Sequence, residues 1–236
     1  MVLQRTVMTY EAPGGTYESM LVADAAAGAQ PGVLLFPNFL GTKEADFARA
    51  EQIAAQGYKV LVVDYYGVGK RGTDMASGSA LMAELVEDRA LMRDKLRAHL
   101  AQLQAVAGVK PGRAGAVGLC LGGKCVLDLA RSGADIAGVV MHGVYDAPPF
   151  PNAAMTARLL VCHGWNDPLC PPEALVALGQ ELTAAGVDWT LLSFSKTGHA
   201  FTDESMPLNP EQSFGYAAEA CTESFAALHR LFAAEL

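Results

Sequence analysis

Short apolar runs alternate with longer stretches of helical periodicity through most of this chain, and this alternation limits the possible folds more than any other feature. The apolar runs are followed by stretches with apolar residues at three- and four-residue intervals. The runs lack strict alternation, which predicts strands buried on both faces of a parallel sheet that is covered by helices. The predicted strands are 32–36, 59–63, 114–119, 136–141, 159–162 and 189–194, and the predicted helices are 43–56, 79–107, 121–132, 172–186 and 210–235.

The N-terminal segment follows a different pattern. Residues 2–11 and 16–24 mix polar and apolar side chains and are separated by Pro13, Gly14 and Gly15, which predicts a β-hairpin. The chain contains no internal repeat, low-complexity segment or linker. We therefore predict a single α/β domain over residues 1–236, with a mostly parallel central sheet, helices on both faces and an N-terminal hairpin.

Composition excludes several classes of partner. The 236 residues are 51% hydrophobic and 18% charged, which is typical of a chain with a substantial core. The net charge of −8 lacks the basic footprint that nucleic acid requires. The first 20 residues carry Arg5, Glu11 and Glu18, and no apolar stretch approaches the length of about 18 that a membrane span needs. We expect a soluble protein without a signal peptide or a nucleic-acid or membrane partner; no signal for an oligomeric state is present.

The cysteines indicate a reducing compartment. There are five, an odd number, and none has CxxC spacing. A chain this long also folds without disulfide staples, which favours a cytoplasmic location. No cluster of side chains has the spacing of metal ligands, so we predict neither a metal nor an organic cofactor. The five are Cys120, Cys125, Cys162, Cys170 and Cys221.

One cysteine lies in a motif associated with catalysis. Gly118-x-Cys120-x-Gly122 follows a predicted central strand and precedes a predicted helix, which is the form of a nucleophile elbow with cysteine in place of serine. The helix N-terminus favours a thiolate and lowers the thiol pKa. The alternative is that Cys120 is a small buried residue like most free cysteines. The glycine spacing and the position after the strand favour the nucleophile.

A base and an orienting acid are expected after the nucleophile. His99 and His229 fall within predicted helices. His142 and His163 directly follow strands, where an imidazole commonly caps a loop. His199 lies in a glycine-containing loop after the last strand, and we predict that it is the base.

For the acid, Asp167 follows the strand that precedes His199 in the chain, in the segment His-Gly-Trp-Asn-Asp-Pro. An Asp before Pro is also a frequent turn former. Asp146, which follows the preceding strand, is the rival. Asp64 and Asp203 fit less well, because neither comes from a strand end adjacent to that of the histidine.

Backbone amides and loop side chains complete the predicted site. Leu121 follows the nucleophile and Phe39 lies in the loop after strand 32–36, so their amides are the predicted oxyanion hole. Asn38, Tyr145 and Phe201 also follow strands, and we predict that they line the substrate pocket.

A competing motif lies at 67–72, where Gly-Val-Gly-Lys-Arg-Gly matches the GxGxxG fingerprint of dinucleotide binding. That fingerprint requires a helix opening at its third glycine, whereas residues 72–78 are rich in turn formers. We predict instead a long loop at the mouth of the pocket, with Lys70 and Arg71 solvated.

Taken together, these segments resemble the dienelactone hydrolase family of the α/β-hydrolase superfamily. The resemblance covers nearly the whole chain: the hairpin, the 37–41 loop, the elbow at 118–123, the segment 163–168 and the Gly-His-Ala-Phe segment at 198–201. The cysteine elbow with two following glycines is the most specific of these. The resemblance implies an α/β-hydrolase fold and an ester or lactone hydrolase with Cys120 as nucleophile, His199 as base and Asp167 as orienting acid.

Two positions depart from the family's type member. There a glutamate stands at the place of Asn38, and an arginine beyond the catalytic histidine holds the substrate carboxylate. Residues 200–203 here are Ala, Phe, Thr and Asp. We therefore expect neutral esters or lactones as substrates, with neutral phosphotriesters as a further possibility. A thioesterase or acyltransferase with the same triad and a non-catalytic binding protein are the alternatives.

Overall fold

A computed structural model describes residues 2–236, which divide into two compact units, one up to Ala116 and the other Val117–Leu236. The first unit opens with an antiparallel hairpin of β1 (Leu3–Ala12) and β2 (Gly15–Asp24). Strand β2 pairs antiparallel with β4 (Lys59–Val62), and β4 pairs in parallel with β3 (Gly32–Phe36). All five residues of β3 are buried, as its continuous apolar run predicts.

Three helices belong to the first unit: α1 (Glu44–Ala54), α2 (Met75–Glu87) and α3 (Arg89–Ala105). The sequence pattern predicts a single helix over 79–107, but the structure has a break at Asp88. This residue ends α2, and its carboxylate accepts a hydrogen bond from Leu91 N at 2.9 Å to cap α3.

The second unit contains parallel strands. β5 (Ala114–Leu119) crosses the boundary between the units and is followed in the sheet by β6 (Ile136–Met141), β7 (Arg158–Gly164) and β8 (Asp188–Phe194). β6 pairs in parallel with β7, and β7 with β8. β6 is buried at every position, whereas β8, the edge strand, contains only exposed and half-buried residues.

The helices of the second unit are α4 (Leu121–Arg131), α5 (Pro172–Ala184) and α6 (Ala218–Glu235). Helix α6 packs on β6 and β7. The α/β architecture with mostly parallel strands and an N-terminal hairpin is thus confirmed, while a single domain over residues 1–236 stays a prediction. Within residues 2–236 no helix combines the length and the apolar character needed to cross a membrane.

Candidate active site

Cys120 occupies a strained turn between β5 and α4. Its backbone has φ 57° and ψ −114°, a conformation that non-glycine residues rarely adopt. Its amide donates to Met141 O at 3.1 Å. A Cβ atom on Gly118 would lie 1.9 Å from the carbonyl oxygen of Gly122, so the turn closes only with glycine at position 118. The GxCxG spacing therefore has a steric cause.

The surroundings of Cys120 distinguish it from the other cysteines. Every residue of α4 is buried, and this helix begins directly after Cys120, so Cys120 lies at the positive end of the helix dipole. Cys120 is partly exposed, whereas the other four cysteines are buried. Burial raises the pKa of Cys162 to about 12 and that of Cys170 to about 11. These two thiols stay protonated and unreactive near neutral pH.

His199 and Asp167 are brought together by the ends of two neighbouring strands. Asp167 Oδ2 lies 2.7 Å from His199 Nδ1, and both side chains are at least 98% buried. The other carboxylate oxygen of Asp167 accepts from Leu169 N at 2.8 Å and from Cys170 N at 3.3 Å. The carboxylate is therefore fixed in orientation, and it holds His199 so that Nε2 is the nitrogen left for chemistry.

The charge of His199 is set by opposing effects. Burial lowers its pKa, but the hydrogen bond that His199 donates to Asp167 and the interactions with Cys120 outweigh burial and raise the pKa to about 10. His199 Nε2 is buried and has no hydrogen bond of good geometry, although the Cys120 sulfur is close enough to affect its charge. The raised pKa favours the imidazolium form of His199 near neutral pH.

A second histidine packs against the first. His142 follows β6 with φ 39°, and its ring lies edge-on to that of His199 at a centroid distance of 5.1 Å. Its Nε2 is 2.7 Å from Thr202 Oγ1. Burial, together with the charge of His199, holds the pKa of His142 well below its ordinary value. The neutral imidazole of His142 therefore packs against the charged imidazole of His199. The position of His142 at the end of a strand did not reveal this contact.

The loop that carries His199 is joined to a later segment. His199 N donates to Ser213 O at 2.9 Å, and Gly215 N donates to His199 O at 3.0 Å. A Cβ on Gly198 would lie 1.7 Å from Ser213 O. Phe214, between these two contacts, places its ring 5.1 Å from that of His199. The predicted helix over 210–235 is therefore wrong before Ala218, because this part of the chain pairs with the histidine loop instead.

Comparison with known proteins agrees with this geometry. The model of the dienelactone hydrolase family matches residues 18–236. This chain belongs to the dienelactone hydrolase family. It is accordingly a dienelactone hydrolase-like enzyme that hydrolyses carboxylic esters.

Relatives in the dienelactone hydrolase family include two solved structures. A protein named m3DLH has a TM-score of 0.92 and 32% identity over 99% of both chains. A dienelactone hydrolase-like promiscuous phosphotriesterase from metagenomic libraries has a TM-score of 0.91 and 30% identity over 99% of this chain and 98% of its own. The Bradyrhizobium sp. protein named "Probable 2-oxo-3-(5-oxofuran-2-ylidene)propanoate lactonase" is 24% identical over 77% of each chain.

Two of the residues predicted to line the substrate pocket, Tyr145 and Phe201, are buried. The Phe201 ring is completely buried between His142 and Phe194, with centroid distances of 4.9 and 5.7 Å. Tyr145 is 4% exposed, and its hydroxyl lies 2.9 Å from His163 Nδ1. Apolar packing explains the burial of Phe201, and the hydrogen bond to His163 explains that of Tyr145. Their place in the substrate pocket stays a prediction.

Asp146, the rival acid, forms a different contact. Its carboxylate is exposed and forms an ion pair with Lys124 of α4. Lys124 itself is almost fully buried, so Asp146 balances the charge of this lysine. Of the two carboxylates considered, Asp167 is therefore the one that contacts the histidine.

In the first unit, the loop after β3 is braced by hydrogen bonds. Asn38 Oδ1 accepts from Leu40 N at 3.0 Å, which makes Asn38 the first residue of an Asx turn. The hydroxyl of Tyr66 donates to Phe39 O at 2.7 Å, and that of Tyr65 donates to Asn38 O. The side-chain oxygen of Asn38 thus has a structural task where the family's type member has a glutamate. The oxyanion role of Phe39 and the pocket role of Asn38 stay predictions.

The prediction that Arg71 is solvated is wrong. Its guanidinium donates to Asp64 Oδ1 at 3.0 Å and to Thr42 Oγ1 at 2.6 Å, because the buried Asp64 carboxylate requires a cation. Lys70 is exposed and pairs with Glu84. Helix α2 begins at Met75, so no helix opens at the third glycine of the 67–72 motif, although residues 75–78 are helical and not a turn.

Metal ligation has no obvious place in the described residues. Between residues 2 and 236, no group of three or more His, Cys, Asp or Glu side chains is arranged to hold a metal ion. The absence of a cofactor stays a prediction.

Proposed function

We propose that this enzyme cleaves neutral carboxylic esters and lactones through a covalent intermediate on Cys120. One observation carries the proposal: Asp167 Oδ2 lies 2.7 Å from His199 Nδ1, and Cys120 interacts with the same imidazole. The nucleophile Cys120, the orienting acid Asp167 and the base His199 follow one another in the chain order that α/β-hydrolases use. None of the five cysteines forms a disulfide, which fits a thiol nucleophile in a reducing compartment. The cytoplasm is the location we propose.

The first half of the reaction transfers the acyl group to sulfur. The Cys120 thiolate attacks the carbonyl carbon, a C–S bond forms, and negative charge moves to the carbonyl oxygen. The amides of Leu121 and Phe39 stabilise this oxyanion. As the tetrahedral intermediate collapses, the C–O bond breaks, and His199 donates its Nε2 proton to the departing alkoxide.

The second half releases the acyl group. Water replaces the alcohol, and the now neutral His199 removes a proton from that water as it attacks the thioester carbonyl. The C–S bond then breaks and the thiolate re-forms beside the imidazolium. Asp167 stabilises that imidazolium and holds the ring tautomer in both halves. An acyl acceptor other than water would make the same machinery an acyltransferase, and a thioester substrate would make it a thioesterase.

The preference for neutral substrates follows from the residues around the histidine. Ala200 and Phe201 carry no charge, Thr202 is engaged with His142, and Asp203 is acidic. A substrate carboxylate that is buried without a cationic partner would lose its hydration, which costs about several kcal/mol of binding free energy.

The second candidate activity is hydrolysis of neutral phosphotriesters. It is favoured by a relative, 30% identical over nearly the whole chain, that is described as a promiscuous phosphotriesterase. The phosphoryl oxygen of a phosphotriester develops negative charge on attack as an ester carbonyl does, so the same amides would stabilise it. The phosphorylated thiol would then require hydrolysis.

The test is substitution of the nucleophile with a matched control. Cys120→Ala should abolish hydrolysis of phenyl acetate, while Cys221→Ala, which alters a buried thiol of α6, should keep turnover near that of the wild type. Circular dichroism of both variants checks the fold. Turnover of folded Cys120→Ala near the wild-type rate would refute the covalent mechanism.

A further inference from the structure

Two aromatic rings flank the imidazole of His199 among the described residues, and they differ in exposure. His142 lies edge-on at 5.1 Å and is 2% exposed. Phe214 lies at the same centroid distance with an interplanar angle of 48°, and part of its ring remains exposed. Asp167 occupies the Nδ1 edge of the imidazole. Of these three neighbours, only Phe214 presents a surface that a ligand can touch.

The position of Phe214 is fixed by its own backbone. The residues before and after it exchange hydrogen bonds with His199, from His199 N to Ser213 O and from Gly215 N to His199 O. Phe214 also pairs with Asn209, whose amide donates to Phe214 O at 2.6 Å. Ser213 has φ 53°, and a Cβ on Gly215 would lie 2.4 Å from Pro207 O, so this segment has little room to shift. The ring is therefore held beside the base.

The reaction determines which part of the substrate meets this ring. During acyl transfer the leaving oxygen must reach His199 Nε2 to receive its proton, so the leaving group lies beside the imidazole while the acyl carbon stays on the sulfur. We propose that Phe214 forms the leaving-group subsite of this enzyme and favours aromatic alcohols over alkyl alcohols. This inference rests on the proposed function, because it assigns the proton donor to His199.

The chemical class follows from the character of the contact. A partly exposed phenyl ring offers apolar area and an aromatic face but no hydrogen-bond partner, and aromatic pairs gain about 2- to 10-fold in affinity beyond their area burial. A phenol or substituted phenol fits such a surface. The same subsite would receive the aryl leaving group of a neutral phosphotriester.

The experiment compares kcat/KM, which reports the steps up to loss of the alcohol, for three substrates. Phenyl acetate and butyl acetate share the acyl group, whereas phenyl acetate and phenyl butanoate share the leaving group. Phe214→Ala should lower the phenyl-to-butyl acetate ratio by about 2- to 10-fold. The acetate-to-butanoate ratio should stay within about 2-fold of its wild-type value, since an ordinary surface change has an effect of about that size. Phe214→Leu, which keeps apolar volume, provides a second variant in case alanine impairs folding.

The control is Leu208→Ala, which removes an exposed apolar side chain from the same segment and should change neither ratio. An unchanged phenyl-to-butyl ratio in both Phe214 variants would overturn the inference, as would an equal effect on the acyl ratio. Cys120→Ala, assayed in parallel, distinguishes a failure of the proposed function from a failure of the subsite. Activity in that variant refutes the proposed function, whereas its inactivity together with unchanged Phe214 ratios refutes the subsite alone.

Discussion

Asp167 Oδ2 and His199 Nδ1 are 2.7 Å apart, and neither side chain is more than 2% exposed. A carboxylate buried to this extent requires compensation, and Asp167 obtains it from the imidazole and from two backbone amides. The contact fixes the ring of His199 and stabilises its positive charge. The pair therefore links the packing of the β7 and β8 loops to the chemistry that we propose at Cys120.

Asp167→Asn should lower kcat by about 10³- to 10⁴-fold at neutral pH, because the amide preserves shape but removes the charge and the tautomer control. KM should change little. The control is Asp146→Asn, which alters the exposed carboxylate that pairs with Lys124 and should leave kcat within about 3-fold, as surface changes usually do. Comparable losses in the two variants would show that Asp167 has no special role.

The pH dependence of kcat/KM should reflect the raised pKa of His199. Acyl transfer needs the imidazolium as proton donor, and its pKa lies near 10 because Asp167 and Cys120 favour the protonated form. We expect kcat/KM to remain high through neutral pH and to fall as pH rises through about 10. An isolated histidine would instead titrate near pH 6.5. A single inflection near 6.5 would mean that neither partner acts on His199 in the free enzyme.

Thr202→Val should destabilise the protein, because it removes the hydrogen bond to His142 Nε2 with almost no change of shape. His142 Nδ1 is already buried without a partner, so the ring would have no hydrogen bond at either nitrogen. We expect the free energy of unfolding to fall by about 1–3 kcal/mol in urea titrations. Thr222→Val, at an exposed position of α6, is the control and should change the stability by less than about 0.5 kcal/mol.

Acid sensitivity should arise partly from His99 in the first unit. Burial lowers the pKa of His99 to about 3, and its Nδ1 lies 2.9 Å from Tyr10 Oη. The unfolded chain binds this proton near pH 6.5 and the folded chain does not, so stability is full above 6.5 and declines as pH falls toward 3.

The contribution of His99 to acid sensitivity can be measured by comparing the pH dependence of stability of the wild type with that of His99→Gln. Between pH 6 and pH 4, the stability of His99→Gln should fall less steeply than that of the wild type, by about 1.4 kcal/mol per pH unit. His229→Gln, which alters a half-buried histidine of α6, is the comparison and should leave the slope closer to that of the wild type. Equal slopes in the wild type and His99→Gln would show that His99 does not contribute.

The local sequence predicts the parts of this enzyme that local chemistry determines. Strands β3, β5 and β6 match their predicted bounds because continuous apolar runs mark strands buried on both faces. The elbow was readable for a similar reason, since the turn at Cys120 tolerates only glycine at position 118.

Contacts between segments that are distant in the chain could not be predicted from the local sequence. Phe214 lies in a stretch with helical spacing, yet its neighbours bond to the His199 loop. Arg71 was predicted to be solvated because nothing near it in the sequence indicates its pairing with Asp64. The local pattern also does not indicate that the ring of Phe201 packs edge-on against that of His142. In each case the outcome depends on a partner that the local pattern does not specify.

The most direct test of the account is to observe the covalent intermediate. Wild-type enzyme is mixed with excess phenyl acetate, quenched with acid on the millisecond timescale and analysed by mass spectrometry of its peptides. We expect an acetyl group on the peptide that contains Cys120, formed at least as fast as steady-state turnover and absent from Cys120→Ala. Turnover without any acetyl group on Cys120, or with the acetyl group on another residue, would contradict the central claim.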